Sequence, residues 1–175
     1  MLPTIKGSPL PNLPIQNGRL IADLIYFDGA LLSYYRDDGR GHYLYVWCDA
    51  DEIHNRWLVV QTDERSLYGF LARQMTLRQL LLTANQNQLY LLDMDDEQHP
   101  FRIQHVEITD LPDDYLPTSE SWYDPSLSVF YDQLAVGEVL SMMQQSLQEA
   151  QSKLKQIEQI IDRDSEAFQP VPTLL

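Results

Sequence analysis

The sequence predicts an α+β fold: an antiparallel sheet of about five strands with two short helices, plus a long C-terminal coiled-coil-type helix. Three observations lead there. Aromatic and aliphatic runs between residues 24 and 109 are broken by turn residues. Two leucine-rich segments open on capping residues. From 136 to 161, apolar residues recur in alternating steps of four and three.

The strands come in order. Residues 24–35 are rich in aromatic and aliphatic side chains, with Asp28-Gly29 as a turn or bulge inside the run. A turn over 36–41, with Gly39 and Gly41 to supply positive φ, leads into the dense apolar strand 42–48 and completes a β-hairpin. Residues 56–61 form a third strand, most simply in meander order. Thr62 or Asp63 then caps a helix that runs to about Arg73 and buries Leu67, Phe70 and Leu71. Thr76 and Gln79 make a capping box for a second helix carrying Leu77, Leu80, Leu81 and Leu82. Strands at 88–93 and 101–109 come next, the last with weaker alternation.

Around this body (18–110) the chain divides into four further parts. An arm (1–17) holds Pro3, Pro9, Pro11 and Pro14, so it is extended and irregular. A linker (111–133) is acidic and aromatic. Its Tyr115, Trp122, Tyr123 and Phe130 are too many large apolar groups for a free tether, so it docks on the body and aims the C-terminal helix. That association helix (134–164) and a Pro-containing tail (165–175) close the chain.

The helix places Val136, Leu140, Met143, Leu147, Ala150, Leu154, Ile157 and Ile161 on one narrow stripe. Their mean spacing of 3.5 is the repeat of a coiled-coil seam. Lys153 and Glu158 flank it in a way that suits a parallel two-stranded pairing, whereas Val139 and Ile160 widen it, and leucine at a with Ile157 at d leans toward trimers or tetramers. Self-association is the expectation and its order is open; the competing reading lays the stripe on the chain's own domain.

Net charge is −14, and 93–124 holds ten acidic residues with only Arg102 in opposition. Such a surface repels phosphate backbones, so direct nucleic-acid binding is not expected. Asp93, Asp95, Asp96, Asp113 and Asp114 form a candidate surface for a basic protein partner; the plain alternative is a solvated acidic face. No membrane span or signal peptide is expected, and one cysteine, Cys48, excludes an internal disulfide framework, so the location expected is cytoplasmic.

Catalytic chemistry finds little footing, and no cofactor is expected. Two apolar strands end in Asp49-Ala-Asp51 and Asp93-Met-Asp95. Were those ends neighbours, the carboxylates would need a cation, which makes Asp49, Asp51, Asp93 and Asp95 weak metal candidates. The run from Asp93 misses the calcium-loop pattern, with Gln98 where glycine belongs. Cys48 with His42 or His54 reads as a strand-end hydrophobe before it reads as a nucleophile. The aromatic residues of 34–57 read as core and hairpin packing and not as a base-stacking platform.

The segment 24–95 resembles an uncharacterised family of small bacterial proteins. The likeness rests on Tyr26-Phe-Asp-Gly-Ala-Leu-Leu32, the hairpin 37–47, Arg56-Trp-Leu-Val-Val60 and Met75-Thr-Leu-Arg78. It implies a bacterial cytosolic α+β domain and no particular activity. The expectation is therefore a non-enzymatic oligomeric interaction protein, binding itself and another protein. The alternative is an acidic inhibitor or immunity-type protein that neutralises a basic effector such as a nuclease.

Overall fold

The computed structural model describes residues 1–15, 17–39, 41–84 and 88–167; the side chains at 133–136, 138–139, 142–143, 146 and 162–167 lie outside the description. Local chemistry sets the first elements. Asp28 and Gly29 both take positive φ and Phe27 N donates to Gly29 O, which turns the chain tightly between β2 (Arg19–Tyr26) and β3 (Ala30–Arg36). β4 (His42–Ala50) and β5 (His54–Thr62) extend the meander. Asp63 accepts from Ser66 N to start α1 (Glu64–Leu71), and both halves of the Thr76/Gln79 capping box form at the start of α2 (Leu77–Thr83). β6 (Leu89–Asp95) and β7 (Pro100–His105) complete the long strands.

The sheet is wider than five strands. Among the described residues it has eight, all antiparallel, when the two-residue strands β1 (Ser8–Pro9) and β8 (Val129–Phe130) are included, in the order β1-β7-β6-β5-β4-β3-β2-β8. The difference has two causes. The first apolar run splits into two strands at Asp28-Gly29, and the arm and the linker each add a short strand to an edge. Pro9 is tolerated because an edge strand needs no donor on its outer side. These short caps each pair with only two residues of the edge strand beside them.

Alternation sorts the side chains between two faces. Leu44, Val46, Leu58, Val60, Leu89 and Leu91 meet α1 and α2 in the main core, which also takes Tyr115 and Tyr123 from the linker. Tyr43, Tyr45, Val59, Tyr90 and Leu92 point to the opposite face, covered by Leu10, Leu13 and Ile15 of the arm. The arm therefore crosses the sheet edge. Ile5 is buried on the helix side, Ser8 and Pro9 pair with β7, and Leu10 to Ile15 lie on the far side.

The expected long coiled-coil-type helix is corrected. The helix α3 (Gln133–Ala167) is a single rod that meets the body along α1. Its side chains are described without a break only over 147–161, about four turns. There, all but Ala150 are exposed, apolar and polar alike, and the helix beside them, α1, meets α3 at Ala150 and leaves the larger apolar side chains of the stripe uncovered. A 3.5 repeat specifies a stripe, whereas a coiled coil needs a second helix to cover it. Part of the expected tail, 168–175, lies outside the described residues. No helix among the described residues is long and apolar enough to cross a membrane.

Candidate functional site

The strand-end carboxylates do meet, and a cation sits between them, but it is an arginine. Register places Asp49 of β4 opposite Arg56 of β5, Arg56 opposite Asp93 of β6, and Asp93 opposite Arg102 of β7. Arg56 is fully buried and Asp93 is 2 % exposed. Arg56 Nε and Nη2 donate to the two oxygens of Asp93 at 2.6 and 2.8 Å, a bidentate pair. Its Nη1 donates to Pro3 O at 2.7 Å and to the Tyr115 hydroxyl at 3.0 Å, and that hydroxyl donates to Asp49 Oδ2 at 2.6 Å. Burial alone would lower the Arg56 pKa, but the bonds to Asp93 and Tyr115 outweigh it and raise it above its ordinary value. Burial and the bond to Asp49 push the Tyr115 phenol up to about 12. The cluster ties the arm, two strand ends and the linker together.

The remaining metal candidates are engaged elsewhere. Asp51 accepts from Ile53 N and Leu2 N, contacts His54 Nδ1 at 2.9 Å and faces the terminal amine at 3.4 Å. The Ile53 N–H first, then the amine, His54 and Leu2, hold its carboxyl down at about 2 against the opposing effect of burial. Asp95 accepts from His99 N in the β6–β7 turn. Among the described residues no three metal-ligating side chains converge. Cys48 is not poised as a nucleophile: burial pushes its thiol up to about 12 and its Sγ faces Arg56 O at 3.5 Å. His42 Nδ1 lies 2.8 Å from the Tyr34 hydroxyl, inside the body.

The acidic surface is divided. Asp93 is interior and neutralised by Arg56, so it adds nothing outside. Asp96 is exposed in the β6–β7 turn beside the half-buried Asp95, whereas Asp113 and Asp114 are exposed on the 3-10 turn that inserts Tyr115 into the core. On α3, Leu140, Leu147, Leu154, Ile157 and Ile161 are between 49 % and 58 % exposed. Ala150 instead lines a cleft of about 590 Å³ against α1, opposite Tyr68 and Glu64. The side chains of Val136 and Met143 lie outside the described residues.

A groove that sequence pattern alone does not reveal lies on the sheet face opposite the helices. It measures about 880 Å³ and is walled by Leu13 and Ile15 of the arm and by the β2–β3 hairpin. Tyr35, Tyr45 and Trp57 line it, with the Tyr35 and Tyr45 rings 4.5 Å apart. Asp23, 4 % exposed, also lines it and accepts from Ser33 Oγ at 2.5 Å and the Tyr131 hydroxyl at 2.6 Å. Burial and then the Asp23 charge raise the Tyr35 pKa, so the field of that carboxylate reaches the ring. The Trp57 indole nitrogen is buried without a hydrogen-bond partner among the described residues. The signal for this groove was the shared parity of Tyr43, Tyr45, Trp57 and Val59 on adjacent strands, which by itself reads equally well as packing.

No protein-family model matches this chain, nor does any curated protein or solved structure.

Proposed function

We propose that this chain is a non-enzymatic protein-interaction protein of bacterial type that associates with a second copy of itself through α3, leaving the body free for another protein partner. The observation that carries the reading is the apolar stripe of α3: five large aliphatic side chains, each about half exposed, on one helix outside the core. Large exposed apolar side chains gathered on one helix support association through that helix. Each leucine fully buried there contributes about 1.5–3 kcal/mol.

A second copy suits the stripe better than an unrelated surface does. Lys153 and Glu158 flank it, so two such helices offer opposite charges to one another. Two linked copies would also present the body twice and raise its effective affinity for a partner. A cytoplasmic location belongs to the same reading, supported by the free thiol of Cys48 and the resemblance of 24–95 to bacterial proteins.

Light scattering at micromolar concentration tests it. The wild-type chain should exceed its monomer mass of 20.4 kDa, and Leu147→Glu with Leu154→Glu should return it to that mass with helical circular dichroism retained. A wild-type chain that elutes at monomer mass refutes the reading.

A further inference from the structure

Asp23 and Asp93 are both buried carboxylates, but they are treated differently. Asp93 has Arg56 against both oxygens. Asp23 has only the uncharged donors Ser33 and Tyr131, and among the described residues no basic side chain forms an ion pair with it. A carboxylate taken out of water without a counter-charge is expensive to keep ionised. Asp23 also faces a groove whose other ionisable carboxylate, among the described residues, is Asp95, and whose described lining includes no Lys, Arg or His. The charged side chains among its described lining are thus both acidic.

We propose that this groove binds a small organic cation of the alkylammonium or guanidinium class, with Asp23 as its counter-ion and the rings of Tyr35, Tyr45 and Trp57 as its walls. The volume falls within the range of about 300–1,000 Å³ typical of small-molecule sites, and the lining mixes aromatic and aliphatic side chains with polar ones. Aromatic faces attract cations most strongly where water is displaced, and Tyr45 is buried. Tyr26, half exposed at the rim, offers one more ring at the mouth. A neutral ligand of the same shape would leave Asp23 uncompensated, so charge sets the selectivity. This site shares no residue with α3 and is independent of the association proposed above.

Calorimetric titration of the full chain with choline, agmatine and spermidine, beside the neutral choline isostere 3,3-dimethyl-1-butanol, tests the proposal. At least one cation should bind saturably, and the neutral isostere at least tenfold more weakly than choline if choline is the binder. Asp23→Asn should lose at least tenfold in affinity with native circular dichroism. Should that variant fail to fold, Tyr26→Ala, a change at the exposed rim, should weaken binding severalfold. Failure of all three cations to bind overturns the proposal. So does equal binding of choline and the isostere, or unchanged affinity in folded Asp23→Asn or in Tyr26→Ala. The Leu147→Glu, Leu154→Glu chain should bind the cation as wild type does, which separates this result from the test of association.

Discussion

Replacing Arg56 by methionine removes the charge at the centre of the buried cluster and keeps most of its volume. Asp93, 2 % exposed, then faces only Arg102, whose Nη1 stands 3.6 Å away on the half-exposed strand β7. Pro3 O and the Tyr115 hydroxyl also lose a donor. Breaking a buried pair by removing one partner costs about 3–5 kcal/mol. Against a domain stability of about 5–15 kcal/mol, that is a large fraction. Urea unfolding followed by tryptophan fluorescence reads it as a fall in midpoint of roughly 2 M, for a slope near 2 kcal/mol/M. Arg56→Lys keeps the charge but cannot hold both Asp93 oxygens, Pro3 and Tyr115 together, so an intermediate loss of about 2 kcal/mol is expected. Arg56→Met with Asp93→Leu removes both charges and should recover most of the loss, because an apolar pair of similar volume is often as stable as the ion pair. A loss below about 1 kcal/mol in Arg56→Met, or no recovery in the double variant, would show that the pair is not the keystone of the cluster.

Two further outcomes concern groups inside the body. Burial first, and then Arg36, lower the His42 pKa below its ordinary 6.5, so protonation favours the unfolded chain. Stability should be full above about pH 6.5 and decline below it, and the difference in melting temperature between wild type and His42→Gln should change across that window; a pH-independent difference refutes the assignment. Thr76→Ala removes the hydroxyl that accepts from Gln79 N at 3.2 Å and should cost about 1 kcal/mol in chemical denaturation.

The helices α1 and α2 were legible because a cap is a local device: Asp63 with Ser66, and Thr76 with Gln79, act within four residues. β4 and β5 were legible from apolar density. β1 and β8 were not, since neither has a strand pattern of its own; Ser8-Pro9 and Val129-Phe130 become strands only by lying against β7 and β2. The convergence of Asp49 and Asp93 was visible as a condition on neighbouring strand ends. That Arg56 supplies the cation was not, because an arginine at the start of an apolar run reads as a boundary residue facing water. On α3 the spacing shows which residues share a face but carries no information about what covers it. The groove was hidden for a related reason: Tyr45 and Trp57 have the same period whether they fill a core or line a cavity.

The arm joins the buried cluster to the groove. On the helix side Pro3 O accepts from Arg56, and on the far side Leu10 N donates to Ile103 O before Leu13 and Ile15 form a wall of the groove. Between these anchors the chain crosses the edge at Gly7, where a Cβ would lie 2.7 Å from His105 O and 2.9 Å from Val106 Cγ1. The nearer atom is backbone in a paired strand and cannot yield as a flexible side chain would. Gly7→Ala should therefore lift the arm from β7, at about 1–3 kcal/mol by analogy with overpacked cores. Limited proteolysis should cut the arm faster, and affinity for an organic cation should fall with it, because one wall of the groove belongs to the displaced segment. The mass of the chain in solution should not change, since α3 is on another part of the fold. If the arm of Gly7→Ala resists protease as the wild type does, the close approach at His105 is not what seats it. If the arm is cut faster while cation affinity holds, the wall of the groove is supplied by the sheet alone.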